Sequence, residues 1–152
     1  MARELPAFAP LGDGRVSCQA TVVVLNGHAL AICGPPGAGK SGTAAQMIAL
    51  GAGLVADDLA VLNADGQNLM VEAPANAPAA MELRGLGIIP MALSGPANLV
   101  AFLYLGIGAA RLPEPEMTKV CDRPVAVLRH PASPDLAAKL MLWLRARDAI
   151  DR

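Results

Sequence analysis

The sequence predicts an α/β domain built on a mixed sheet rich in hairpins, and three observations carry that prediction. A β-branched apolar run, Ala20-Thr21-Val22-Val23-Val24-Leu25, meets Asn26-Gly27 and returns as His28-Ala29-Leu30-Ala31-Ile32-Cys33, a strand pair around a strong hairpin signal. A Gly/Pro-rich loop then leads into Ser41–Leu50, where Ala, Met, Ile and Leu recur at helical spacing. Near the C-terminus Leu136, Leu140, Trp143 and Leu144 fall on one helical face.

Taken in order, residues 1–17 hold prolines and glycines without periodicity and read as an irregular lead-in, so one domain is expected over 18–152. Gly51 and Gly53 end the first helix, as C-terminal glycines do. Leu54-Val55-Ala56 is a short buried strand running into Asp57-Asp58. Val61-Leu62-Asn63, Asp65-Gly66 and Leu69-Met70-Val71 predict a second hairpin. Pro74 to Ala80 is a proline-alanine loop, and Met81 to Ile89 mixes charge, glycine and apolar residues in a way ordinary core does not. Leu99 to Leu105 reads as a central strand, Pro113 to Pro124 as irregular, and Val125 to Leu128 as the last strand. Ser133-Pro134-Asp135 supplies a helix start: a Ser cap, Pro at the first helical position and an acid in the first turn.

Composition narrows the function. The 152 residues carry 12 Lys plus Arg against 13 Asp plus Glu, a net charge of -1, which argues against a hold on nucleic acid or anionic membrane by bulk charge. With 54% hydrophobic and 3% aromatic residues, an aliphatic core is expected. Cys18, Cys33 and Cys121 are odd in number and lack a CxxC pair, giving neither a disulfide framework nor a zinc site. The first residues hold no apolar stretch of signal-peptide length. The longest apolar run, Leu99 to Ala110, is well short of the roughly 20 residues that span a bilayer. A soluble cytoplasmic protein is the expectation.

The sharpest chemical signal is Gly34-Pro35-Pro36-Gly37-Ala38-Gly39-Lys40-Ser41, a complete G-x-x-x-x-G-K-[ST] between a strand and a helix. Its glycines let backbone N–H groups turn inward around phosphate oxygens, and the following helix points its positive end at the same anion. Lys40 would meet the outer phosphates and the Ser41 hydroxyl would coordinate Mg²⁺. Asp57-Asp58, two acids ending an apolar strand, stand where a metal ion and a nucleophile's proton must be managed. Adjacent strand residues point to opposite sides, so the two divide their labour.

Gly34–Ser41, Leu54-Val55-Ala56-Asp57-Asp58 and Glu82-Leu83-Arg84-Gly85-Leu86-Gly87-Ile88 together resemble the catalytic domain of HPr kinase/phosphorylase, over roughly residues 18–147. Pro124-Val125 and Arg129 keep the spacing of that family's P-V-x-x-G-R-N stretch, with Leu128 and His130 replacing its Gly and Asn. The resemblance implies a P-loop mixed-sheet fold related to that of phosphoenolpyruvate carboxykinase. It also implies phosphoryl transfer from ATP or pyrophosphate, with Mg²⁺, to a serine of the phosphocarrier HPr, and control of carbohydrate metabolism through the phosphotransferase system. Asp57 would take the serine proton, beside Lys40. Ser41, Asp58 and Glu82 would lie at the metal, and Arg84 and Arg129 would face the transferring phosphate or the protein substrate. A homo-oligomer, a hexamer by resemblance, is implied too. Longer members carry an N-terminal domain, so a stand-alone catalytic form is expected.

One departure matters. Where the family carries a catalytic His ahead of the phosphate loop, this chain has Gln19. Gln hydrogen-bonds but cannot change charge, so the reverse reaction, phosphorolysis of phosphoserine, is expected to be weakened. His28 reads as a solvated turn residue, Cys33 as a small buried hydrophobe, Met81, Met91 and Met141 as gap-fillers, and Trp143 as core or interface. Two other functions remain open: a small-molecule P-loop kinase, and a nucleotide-binding regulatory module without turnover. The first usually brings an arginine-rich lid, and Pro74–Ala80 has no basic residue.

Overall fold

The computed structural model describes residues 6–106 and 110–150. Strands β1 (Ala9–Gly12) and β2 (Arg15–Gln19) open the chain, followed by β3 (Thr21–Leu25) and β4 (His28–Cys33). Helix α1 (Lys40–Ala49) precedes β5 (Gly53–Ala56), β6 (Leu59–Asp65), β7 (Asn68–Glu72), β8 (Ala80–Leu83) and β9 (Gly87–Pro90). The chain continues through β10 (Ala97–Leu105), β11 (Met117–Val120) and β12 (Arg123–His130) to helix α2 (Leu136–Ile150).

Ten of these strands join in one sheet ordered β1-β2-β6-β7-β10-β4-β3-β5, with β12 also beside β10 and β11 beyond it; β8 and β9 pair separately. β10 is the pivot. Its first residues pair antiparallel with β7, and its later ones run parallel to β12 on one side and β4 on the other. Three parallel strands therefore end together at Cys33, Leu105 and His130. In open α/β sheets the carboxyl ends of parallel strands are where ligands bind.

The two faces of the sheet close on different partners. Leu30, Ile32, Leu103 and Leu105 pack under Ala44 and Met47 of α1 and Leu136, Leu140, Met141 and Leu144 of α2. On the other face no helix takes part among the described residues. There Leu62, Leu69 and Val71 of the β6–β7 hairpin and Cys18 of β2 pack over Val22, Ala31, Cys33 and Phe102. The core is aliphatic except for Phe102, the largest fully buried side chain, which meets Phe8 edge-on with centroids 5.8 Å apart.

Both predicted hairpins form. Asn26-Gly27 takes left-handed φ values of 53° and 79° as the turn between β3 and β4. Three expectations need correction. The lead-in is not irregular from residue 9 onward: Gly12 pairs with Arg15, and Asp13-Gly14 makes a two-residue turn with φ of 51° and 83°. The stretch Pro113–Pro124 is likewise not irregular, because it holds β11 and the start of β12, joined by Cys121-Asp122 at φ of 50° and 59°. No glycine marks that turn. His28 is not a solvated turn residue. It starts β4, its side chain is 13% exposed, and Nε2 lies 3.0 Å from Asp148 Oδ1 on α2. Asn26 Nδ2 donates to the other oxygen of Asp148 at 3.1 Å, so the hairpin turn is fastened to α2. Residues 1–5 of the lead-in and 107–109 of the apolar run lie outside the described residues. Among the described residues no helix is long and apolar enough to cross a membrane.

Candidate active site

The phosphate-type loop is wedged between the ends of β10 and β12. A Cβ on Gly34 would stand 3.2 Å from the Leu105 carbonyl oxygen, and one on Gly39 would stand 3.1 Å from Ala132 Cβ. Both glycines also hold positive φ, 151° and 102°. Only glycine meets both demands without strain. The Ala38 N–H donates to Pro35 O (3.1 Å), closing the loop's inner turn. Pro36 and Gly37 form its exposed crown. Gly39 caps α1 with no side-chain hydrogen bond, which leaves the helix's leading amides and its positive dipole end to the loop's concave side. Lys40 arches back over the loop, its Nζ donating to Gly34 O (2.8 Å) and Pro35 O (3.2 Å). Ser41 is exposed on the first turn of α1.

Asp57 sits beside this loop through β3. Thr21 is in register with Ile32, two residues before Gly34, and its Oγ1 donates to Asp57 Oδ1 at 3.2 Å. Thr21 is otherwise buried among apolar neighbours, so it needs such a partner. The Glu82 amide also donates to Asp57. Burial pushes the Asp57 carboxyl above the usual carboxylate value, reinforced by the nearby charges of Asp58 and Glu82 and opposed by the two hydrogen bonds. Asp58, at φ 73°, turns the chain sharply, and its carbonyl accepts from the Ala20 N–H at 3.1 Å.

Glu82 is delivered by the β8–β9 hairpin, anchored through buried Met81, with Glu82 opposite Ile88. Glu82 itself is exposed. Arg84 occupies the exposed turn of that hairpin, with no ion-pair partner among the described residues, beside Leu86 and Ile88, which are 79% and 74% exposed. Asp57, Asp58 and Glu82 are thus brought together, and Arg84 projects at the rim.

The opposite side of Gly34 opens on a pocket of about 240 Å³ lined by Pro6, Ala7, Gln19, Cys33 and Tyr104. Gln19 therefore lies between the loop and the Asp58 turn, since its neighbour Ala20 bonds Asp58. Burial pushes the Cys33 thiol up to about 12, with buried Cys18 adding to the shift, so it is an inert hydrophobe. Arg129 is placed on this side. Its Nε and Nη2 form a two-pronged bond to Glu116 (2.9 and 2.8 Å), and its guanidinium lies 5.8 Å from the Tyr104 ring centroid. His130 accepts from Lys139 through Nε2 (3.2 Å), leaving Nδ1–H to donate to Pro131 O (2.7 Å).

Among the described residues no three His, Cys, Asp or Glu side chains form a ready-made metal cage. A hydroxyl and two carboxylates, from Ser41, Asp58 and Glu82, nonetheless fit the oxygen donors that Mg²⁺ takes when phosphates complete its shell. Thr21, Tyr104 and Glu116 were not indicated by the sequence. Only Thr21 carried a signal, as a polar residue inside an apolar strand.

A family model for the HPr serine kinase C-terminal domain matches residues 13–96, more than half of the chain. The HPr kinase/phosphorylase of Lactiplantibacillus plantarum is 41% identical over 76 residues, 49% of this chain and 24% of that protein. The putative HPr kinase/phosphorylase of Fusobacterium nucleatum is 40% identical over 73 residues, 48% of this chain and 12% of that protein. The chain thus matches a quarter or less of the length of these relatives. The solved structure of the Hpr(Ser) kinase/phosphatase from Coxiella burnetii shares the fold, with a TM-score of 0.73 at 20% identity over 89% of this chain and 91% of that one.

Proposed function

The chain belongs to the HPr serine kinase C-terminal domain family, and on that premise we propose that it transfers the terminal phosphoryl group of ATP to a serine of an HPr-type phosphocarrier. The observation that carries this reading is Asp57: a half-buried carboxylate with a raised proton affinity, held by Thr21 and the Glu82 amide beside a phosphate-type loop. A base in that state is suited to take the serine proton as the oxygen attacks phosphorus. The amides of Gly34–Ser41 and the Lys40 ammonium neutralise the donor's phosphates and hold them in line. Bound Mg²⁺, held by Ser41, Asp58 and Glu82, would supply further neutralisation of the developing charge. Arg84 at the hairpin rim faces the incoming substrate. The exposed Leu86 and Ile88 beside it suit a protein acceptor better than a metabolite enclosed by a lid.

Pyrophosphate is an alternative donor, because the loop amides and Lys40 are suited to hold phosphate groups alone. Gln19 cannot carry charge, so the reverse phosphorolysis runs weakly. Assembly with further copies of the chain and a cytoplasmic setting belong to the same reading. The test is purified protein with γ-labelled ATP, Mg²⁺ and purified HPr. Label on an HPr serine is the expected result. Transfer to a metabolite alone, or nucleotide binding with no transfer to any acceptor, overturns it.

A further inference from the structure

Arg129, Tyr104 and Cys33 form one row across the carboxyl ends of three parallel strands. Tyr104 is in register with Arg129 on one side and with Cys33 on the other, so the three side chains share a face. Cys33 is the last residue before the phosphate loop. The row extends outward to Glu116, whose carbonyl accepts from the Val127 N–H at 2.9 Å and whose carboxylate takes the two-pronged bond from Arg129. The two side chains are 17% and 26% exposed, shielded enough that the pair is only partly screened. A planar guanidinium gripped at two points has its orientation fixed. The guanidinium carbon stands 5.8 Å from the Tyr104 ring centroid, within cation–π range, and Tyr104 walls the pocket that opens on Gly34.

We infer that Glu116 is a positioning residue, and that Arg129 acts with it: through the fork and the Tyr104 ring they hold the pocket wall beside Gly34, and Arg129 does not itself contact the transferring phosphate. Glu116 lies outside every motif in the sequence. The inference rests on the reading of Gly34–Ser41 as a phosphate cradle, although not on the identity of the acceptor. It revises the role that resemblance gives Arg129. Two donors of the guanidinium are already engaged by Glu116.

Tyr104 is the only tyrosine of the chain, which makes the test direct. Protein labelled with 3-fluorotyrosine gives a single ¹⁹F resonance that reports the pocket wall. Glu116→Gln and Arg129→Lys are each expected to shift that resonance in the absence of nucleotide, and Mg-ATP is expected to move it in the wild type. Each variant should raise KM for ATP about tenfold while changing kcat less, and the double variant should be no worse than either single one. Glu116→Asp, which keeps the charge, should fall between wild type and Glu116→Gln. The inference is overturned if the resonance is the same in all variants. It is equally overturned if Arg129→Lys loses kcat while Glu116→Gln keeps wild-type KM and kcat, because Arg129 would then act on phosphate directly. Should the chain fail to phosphorylate HPr, the Kd for pyrophosphate replaces KM, so failure of the acceptor reading leaves this test standing.

Discussion

Replacing Gly39 by alanine separates two physical reasons for a glycine at the last turn of the phosphate loop. Gly39 holds φ of 102°, and a Cβ there would meet Ala132 Cβ at 3.1 Å. Gly37, in the same loop, holds φ of 81° with nothing within 4 Å of its would-be Cβ. Gly37→Ala therefore carries backbone strain alone, about 1–2 kcal/mol. Gly39→Ala carries similar strain plus crowding of about 1 kcal/mol or more, since Ala132 must give way. At about 2–4 °C per kcal/mol for a chain of this size, Gly37→Ala lowers Tm by roughly 2–8 °C and Gly39→Ala by roughly 4–12 °C, always the larger drop. Adding Ala132→Gly to Gly39→Ala should return the crowding part, about 1 kcal/mol, and leave the strain. Urea unfolding of Gly37→Ala and of a double-mutant cycle made of the wild type, Gly39→Ala, Ala132→Gly and the double variant measures this. If Gly39→Ala is no less stable than Gly37→Ala, or if Ala132→Gly restores nothing, the wedging of the loop against the β12 end is wrong.

Three further outcomes follow from the same geometry. Asp57→Asn should reduce phosphoryl transfer at least about 100-fold and yet raise stability at neutral pH. Asp57 has its folded-state proton affinity raised above the ordinary 3.8, so the wild type loses stability as pH climbs from there through the raised value. The Tm gap between variant and wild type should therefore open with rising pH and close below pH ~4; a gap constant with pH refutes the burial argument. Gln19→His should raise phosphorolysis of serine-phosphorylated HPr roughly tenfold relative to the forward reaction, measured by pyrophosphate formed when phosphate is supplied; an unchanged ratio counts against the assignment. His28→Ala and Asp148→Asn should each cost about 1 kcal/mol in urea unfolding, and the pair should be clearly less than additive, because they break one fastening.

What the sequence disclosed follows the reach of its signals. Asn26-Gly27 and Asp65-Gly66 carry the conformational demand of their turns in their side chains, so both hairpins were legible. Cys121-Asp122 makes the same kind of turn without glycine, and β11 went unread with it. That loss hid Glu116, because its place opposite Val127 exists only once the β11–β12 register is known. Asp13-Gly14 did carry the signal, masked by the prolines around it. The phosphate loop, Asp57-Asp58 and Glu82 were legible because each is a local motif. Their mutual placement depends on Thr21, 36 residues from Asp57, and no local pattern specifies that bond. His28 was misread for the same reason, since its partner lies 120 residues further along the chain.

The site also divides by the face of the sheet, which bears on how its residues can work. Thr21 shares the face of Ile32, the helix side, and it holds Asp57 there with the β8 strand that brings Glu82. Cys33, Tyr104 and Arg129 lie on the opposite face, where no helix packs among the described residues. The phosphate loop springs from the edge between the two. A group on the first side stands with Asp57 and Glu82, whereas Cys33 and Tyr104 on the second meet the loop at its first glycine. Asp58 joins the sides, since its φ of 73° redirects the chain so that its carbonyl meets Ala20 next to Gln19. Position 19 thus lines the pocket beside Gly34 and is one residue from the amide that bonds the Asp58 carbonyl. On the proposed function, a titrating side chain at that position would help set which acid holds a proton, which glutamine cannot do.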